Sequence, residues 1–96
     1  MEKDKFIKTI EAYKSFLDTS DKLMDLGIDL AEGPITNSLD IIFDAWLTEI
    51  TNEEGQDLVY WWLFEDVDKV ITEDEEDIVV DDIELFANYM KEHGYF

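Results

Sequence analysis

Five consecutive carboxylates, Glu73-Asp74-Glu75-Glu76-Asp77, form the densest array of chemically competent groups in the chain. Carboxylates crowded in this way can hold a hard cation, exchange protons as acid and base, or present negative charge to a basic surface. The calcium option is decided by ligand spacing. Taking Asp66 as the first ligand puts Asp68 third, Thr72 seventh, Asp74 ninth and Asp77 twelfth. The fifth position is then Val70, and the sixth is Ile71 where the turn needs glycine. The twelfth is Asp instead of the bidentate Glu. These mismatches exclude the motif, and no metal or other cofactor is expected.

Catalysis finds little support. His93, the only histidine, stands beside Gly94 and reads as a helix-end residue that complements the dipole. No serine or cysteine carries a local nucleophile signature, and no glycine-rich phosphate loop is present. With no cysteine at all, disulfides and thiolate ligands are excluded. Carboxylate pairs abound, but among 26 acids any pair arises by chance. Glycosidase-type chemistry would also need one acid in an apolar pocket. The expectation is a non-enzymatic protein, with a small hydrolase as a remote option.

The third option follows from charge. The chain carries 26 acids against 7 basic residues, all lysine, for a formal net charge of −19. Such a field repels nucleic acid and anionic membranes, so neither is expected as a direct partner. The expected partner is a basic protein surface, such as that of a nucleic-acid-binding protein. Helical neighbours such as Asp40/Asp44 and Asp81/Glu84 lie about 5–6 Å apart. Duplex DNA presents one charge per about 1.7 Å of axis. Rows of carboxylates can therefore act as a nucleic-acid mimic that occupies a basic groove competitively. The residues expected to do so are Asp66, Asp68, Glu73, Asp74, Glu75, Glu76, Asp77, Asp81, Asp82 and Glu84. The competing reading is a solvated acidic face that serves solubility.

The charge is unevenly placed. Residues 1–27 hold five lysines and six acids, whereas residues 28–90 hold one lysine and nineteen acids. By this count the first helix is almost neutral, and nearly all the field originates beyond residue 27.

A chain of 96 residues is one domain, 1–96, and its 46% hydrophobic content is enough for a core. Phe6, Ile10, Tyr13, Leu17 and Met24 mark one face of a helix from about residue 4 to 26, closed by Gly27 with Ile28 as the apolar residue of a Schellman cap; the alternative is a break into two helices at Asp18-Thr19-Ser20-Asp21. A second helix opens at Pro34 after Gly33 and buries Ile35, Leu39, Ile42, Phe43, Trp46 and Ile50. Asn37, Asp40, Asp44, Thr48 and Thr51 form its wet face. Thr51 to Gly55 ends it, and a third helix covers about residues 56–65.

That third helix contains Tyr60-Trp61-Trp62-Leu63-Phe64, which cannot share one face. It reads as the central post of the core, with a partly exposed Trp61 or Trp62 at an interface as the alternative. Val67, Val70 and Ile71, then Ile78, Val79 and Val80, suggest either a short two-stranded element around 67–80 or an irregular connection. A final helix, capped by Asp81 or Asp82, buries Ile83, Phe86, Ala87 and Met90 and stops at Gly94. The expected fold is mostly α, a compact bundle of about four helices. No apolar run approaches the ~20 residues of a membrane span. The stretch MEKDKFIKTIEAYK lacks the marks of a signal peptide, so a cytoplasmic location is expected.

The sequence GIDLAEGPITNSLDIIFDAWLTEITNEEGQDLVYWWLFED, with DIVVDDIELFANYM after a gap, resembles small acidic bacteriophage proteins of unknown function. The likeness covers about residues 27–90: a G-I-D-L turn, an apolar helix, a W-W/F-x-x-E helix and an I-x-x-x-x-D/E-L helix. In that family an E-N-D-F-G-K stretch often follows the aromatic helix, where this chain has Glu65-Asp66-Val67-Asp68-Lys69. The motifs are structural and carry over no active-site residue. The resemblance implies a phage accessory protein in a bacterial cytoplasm. By analogy of size and charge, it implies a mimic that blocks a host DNA- or RNA-binding protein. The alternative is a phage structural or genome-maintenance protein that assembles through apolar surface, a homodimer among its options.

Overall fold

Phe6 and Ile10, one helical turn apart, are both fully buried, and they anchor the longest helix to the core. The computed structural model describes residues 2–27, 34–65 and 68–96, with backbone only for 34–37. Helix α1 spans Lys3–Asp25. Gly27 closes it at φ +87°, the left-handed conformation that costs a residue with a Cβ about 1–2 kcal/mol. Ile28, Gly33 and Val67, and the side chains of Ile35 and Asn37, lie outside the described residues. Helix α2 spans Pro34–Ile50, α3 Glu53–Phe64 and α4 Ile83–Glu92. Strands β1, Val70–Glu73, and β2, Glu76–Val79, form an antiparallel pair. The fold is mostly α, with four helices and one short two-stranded sheet among the described residues.

Helix α3 starts earlier than glycine punctuation suggests. Asn52 is its N-cap, and the Asn52 Oδ1 accepts from the Gly55 N–H at 2.9 Å, so Gly55 lies inside the first turn and does not end α2. A Cβ at residue 55 would overlap the Thr51 side chain, so the glycine serves close approach there, not chain termination.

The core lies where α4 and α3 meet the N-terminal half of α1. Phe86 stacks on Trp62 with ring centroids 5.4 Å apart and comes within 6.3 Å of Phe6. Lys3 Nζ donates to Asn88 Oδ1 at 3.0 Å, and Phe96 stacks on Phe6 at 4.6 Å. Helices α1 and α2 run antiparallel: Trp46 sits 6.1 Å from Phe6, and Phe43 stacks on Tyr13 at 3.8 Å.

Burial departs from the expected faces in three places. On α2 the buried side chains are Phe43 and Leu47, whereas Leu39 and Ile42 are exposed. That helix is apolar on more than one side, and α1 and α3 cover only one of them. On α1 the stripe fails at its C-terminal end, where Met24 and Leu26 are exposed because α4 packs against the other end. On α3, Gly55, Val59 and Trp62 face inward at four-three spacing, while Phe64 is 56% exposed. The helix is thus buried along one stripe only. Helix α4 buries Phe86, Ala87, Tyr89 and Met90 and ends at Gly94, φ +75°.

The acidic run is part of the hairpin itself. Glu73 ends β1, Glu76 and Asp77 begin β2, and the two-residue turn between them is Asp74-Glu75. Both turn residues have positive φ, 51° and 66°, as in the type I′ turns that suit hairpin twist. Asp tolerates that conformation through local hydrogen bonding, whereas Glu lacks that advantage. The cross-strand pair Glu73–Glu76 also opposes like charges.

Candidate acidic interaction surface

The ten acids singled out from the sequence do not form one patch. Asp66 lies outside the described residues. Asp74, Glu75 and Glu76 are exposed at the hairpin tip. Glu73 and Asp77 flank them, and each has a partner: Glu73 Oε2 meets His93 Nε2 at 2.8 Å, and Asp77 Oδ1 accepts from Thr72 Oγ1 at 2.9 Å. Asp68, Asp81, Asp82 and Glu84 lie at the base of the hairpin. A four-residue strand at about 3.4 Å per residue separates base from tip by about 14 Å. At the base, Asp82 caps α4 by accepting from the Glu84 N–H at 2.7 Å. Glu84 also lies 3.9 Å from Lys3 Nζ.

The base group gains carboxylates that the net count concealed. Glu11 and Asp18 of α1 line a cleft of about 390 Å³ together with Asp81, Asp82, Lys14 and Trp62. Summing residues 1–27 made α1 look neutral, but its charges are sorted by face. Glu11 and Asp18 are seven apart, two helical turns, and therefore share a side. That spacing was the signal available in the sequence.

Four carboxylates and Lys14 thus line one cleft, with Lys14 Nζ 5.3 Å from the Trp62 ring centroid. Lys69 approaches the same ring at 4.2 Å. Both are cation–π contacts that draw ammonium groups onto an aromatic face.

Elsewhere the tyrosines take up carboxylates. Tyr13 and Tyr60 donate to Asp40 and Asp44 at 2.6 and 3.0 Å, so this pair is not a bare acidic row. Burial, and then the bond to Asp44, pushes the Tyr60 hydroxyl up to about 12. Burial and Asp40 raise Tyr13 further, so both remain donors at neutral pH.

His93 ties α4 to the hairpin. Its Nδ1 lies 2.8 Å from the Tyr89 carbonyl, and its Nε2 lies 2.8 Å from Glu73. Two acceptors on one ring favour the imidazolium, which donates from both nitrogens. The bond to Tyr89 raises the pKa most; burial opposes it, and Glu73 adds to it. Because the folded pKa lies above 6.5, the ring's contribution is complete below pH 6.5 and is lost as pH rises through the folded value. The single histidine gives one Cε1–H resonance, whose titration midpoint should fall above 6.5 and drop in Glu73→Gln. A midpoint at or below 6.5 in the parent chain would show that the bridge to the hairpin does not hold in solution.

Among the described residues, no group of three or more His, Cys, Asp or Glu is arranged to hold a metal ion. No helix of the described residues is long and apolar enough to cross a membrane. Comparisons with family models, with curated proteins and with solved structures return no match.

Proposed function

We propose that this chain is a non-enzymatic binding protein whose acidic hairpin and acidic cleft dock a basic surface on a nucleic-acid-binding protein, in the place nucleic acid would occupy. One observation carries the reading: carboxylates of α1 and of the turn before α4 converge on one cleft. Glu11 and Asp18 face the same cleft as Asp81 and Asp82, while the opposite side of α1 lines a groove with no carboxylate among the described residues. A charge that served solubility alone would have no need of such convergence. Convergent carboxylates steer a basic partner through long-range attraction and fix its orientation at close range. The likeness of residues 27–90 to small acidic phage proteins supports a bacterial partner and a role as an inhibitory mimic.

Affinity capture from a bacterial lysate tests the proposal. DNA-binding proteins should be retained at low ionic strength, lost at high ionic strength and displaced by duplex DNA. Reversal of Asp74, Glu75 and Glu76 to lysine should weaken capture, and reversal of Glu11, Asp18 and Asp81 should weaken it further. Capture that survives high salt and both reversals would refute the mimic. The exposed apolar residues of α2 favour assembly through apolar surface as a second reading.

A further inference from the structure

We infer that the groove between α1 and α2 is the docking face for a second copy of this chain, pairing about a two-fold axis. This inference is independent of the function proposed for the acidic side. The groove has a volume of about 360 Å³ and is walled by Thr9, Ala12 and Phe16 of α1 and by Leu39, Ile42 and Trp46 of α2. Lys5 is the one charged residue lining it among the described residues. On its α2 wall, Leu39 and Ile42 are 38% and 64% exposed.

Two observations select the occupant. The first is area. The chain exposes 6553 Å². A monomeric protein of its 11.3 kDa mass exposes about 5,700 Å². The excess is close to the ~800 Å² that each partner buries in a standard interface. Its radius of gyration is 14.5 Å, where a globular domain of this length has about 12.5 Å. Its principal extents are 45 × 28 × 21 Å.

The second is charge. A basic partner gains nothing from a groove without carboxylates. A second copy, at −19, meets carboxylates in excess on the hairpin and cleft side. The groove's own lining adds no carboxylate among the described residues, and Asp40 beside it accepts from Tyr13 of that lining at 2.6 Å.

A two-fold axis sets the groove of each copy against that of the other, as in isologous dimers. The antiparallel α1–α2 pair then becomes half of a four-helix layer.

Sedimentation equilibrium on the full chain tests this, because the salt dependence has a definite sign. Two strongly acidic copies repel, so the dimer should tighten with added salt, opposite to capture of a basic partner. The dissociation constant should fall at least about tenfold between about 0.01 M and 0.15 M salt, as the Debye length shrinks from about 30 Å to about 8 Å. Ile42→Glu should weaken the dimer about 100-fold or more, since the symmetry introduces the charge twice. Because Ile42 is exposed, the variant should keep the parent's circular dichroism and monomer stability. Ala12→Glu, on the opposite wall, should act alike. A protein that stays monomeric at high salt overturns the inference and leaves the groove to an unrelated apolar segment. So does a dimer that weakens with salt, or one indifferent to both substitutions in folded protein. Hairpin reversal variants should still dimerise, so the failure of one reading is distinguishable from the failure of the other.

Discussion

Replacing Trp62 with alanine is expected to remove about 3–5 kcal/mol of stability, the cost of deleting a large buried ring and leaving a cavity. A domain of this size has about 5–14 kcal/mol in all. The ring is 3% exposed and joins parts of the chain far apart in sequence. It stacks on Phe86 of α4, and its Nε1–H donates to the Val80 carbonyl at 2.6 Å, where β2 leaves the hairpin. Lys14 and Lys69 lie against its face. Trp62→Phe keeps most of the apolar area but leaves the Val80 carbonyl without its donor, for a loss of about 1–3 kcal/mol. Trp61, half-buried, should cost clearly less than Trp62 when cut to alanine. Urea denaturation followed by far-ultraviolet circular dichroism ranks the three. Equal losses at Trp61 and Trp62 would mean that α3 is buried all round after all.

The second large effect inverts a familiar sign. Glycine to alanine inside a helix ordinarily stabilises by about 1 kcal/mol. Gly55→Ala should instead destabilise by about 1–3 kcal/mol, the usual cost of overpacking. The new methyl would meet Thr51 Oγ1, and Thr51 Cβ and Cγ2 both lie 3.0 Å from the same point. Rotating the threonine exchanges one clash for another. Among the described residues, Thr51 Oγ1 is itself buried without a hydrogen-bond partner, so Thr51→Ala alone should be nearly neutral or stabilising. The double variant should therefore recover much of the loss, and a double-mutant cycle should give a coupling of at least about 1 kcal/mol. A stabilising Gly55→Ala, or additive effects, would show that helix propensity governs this turn.

Much of the local structure was legible in the residues. Three-four spacing marked α1, α2 and α4, Pro34 opened α2, and Gly27 and Gly94 took the left-handed positions past α1 and α4. Asp82 caps α4 as its residue type suggests. Gly55 misled because glycine punctuates chains in two ways, by conformational freedom and by close approach, and only the fold tells them apart. The hairpin was readable from its β-branched residues. Its turn was not, because Asp-Glu lacks the glycine that usually marks a type I′ turn.

The acidic surface divides similarly. Its residues were countable, but counting them by segment hid Glu11 and Asp18, since a helix sorts by angle what a sum adds together. The link between His93 and Glu73 spans twenty residues and left no local trace.

By itself, then, the sequence determined the number and kind of elements and the sign of the field, because helix periodicity and charge are properties of neighbours along the chain. Which apolar faces are covered was decided only in three dimensions. Helix α2 has more apolar surface than α1 and α3 can enclose. Packing selected Phe43 and Leu47 for the interior and left Leu39, Ile41 and Ile42 outside. The same packing turned Glu11 and Asp18 toward Asp81 and Asp82 and away from the groove. Burial and charge sorting depend on which elements meet, and tertiary contact sets that.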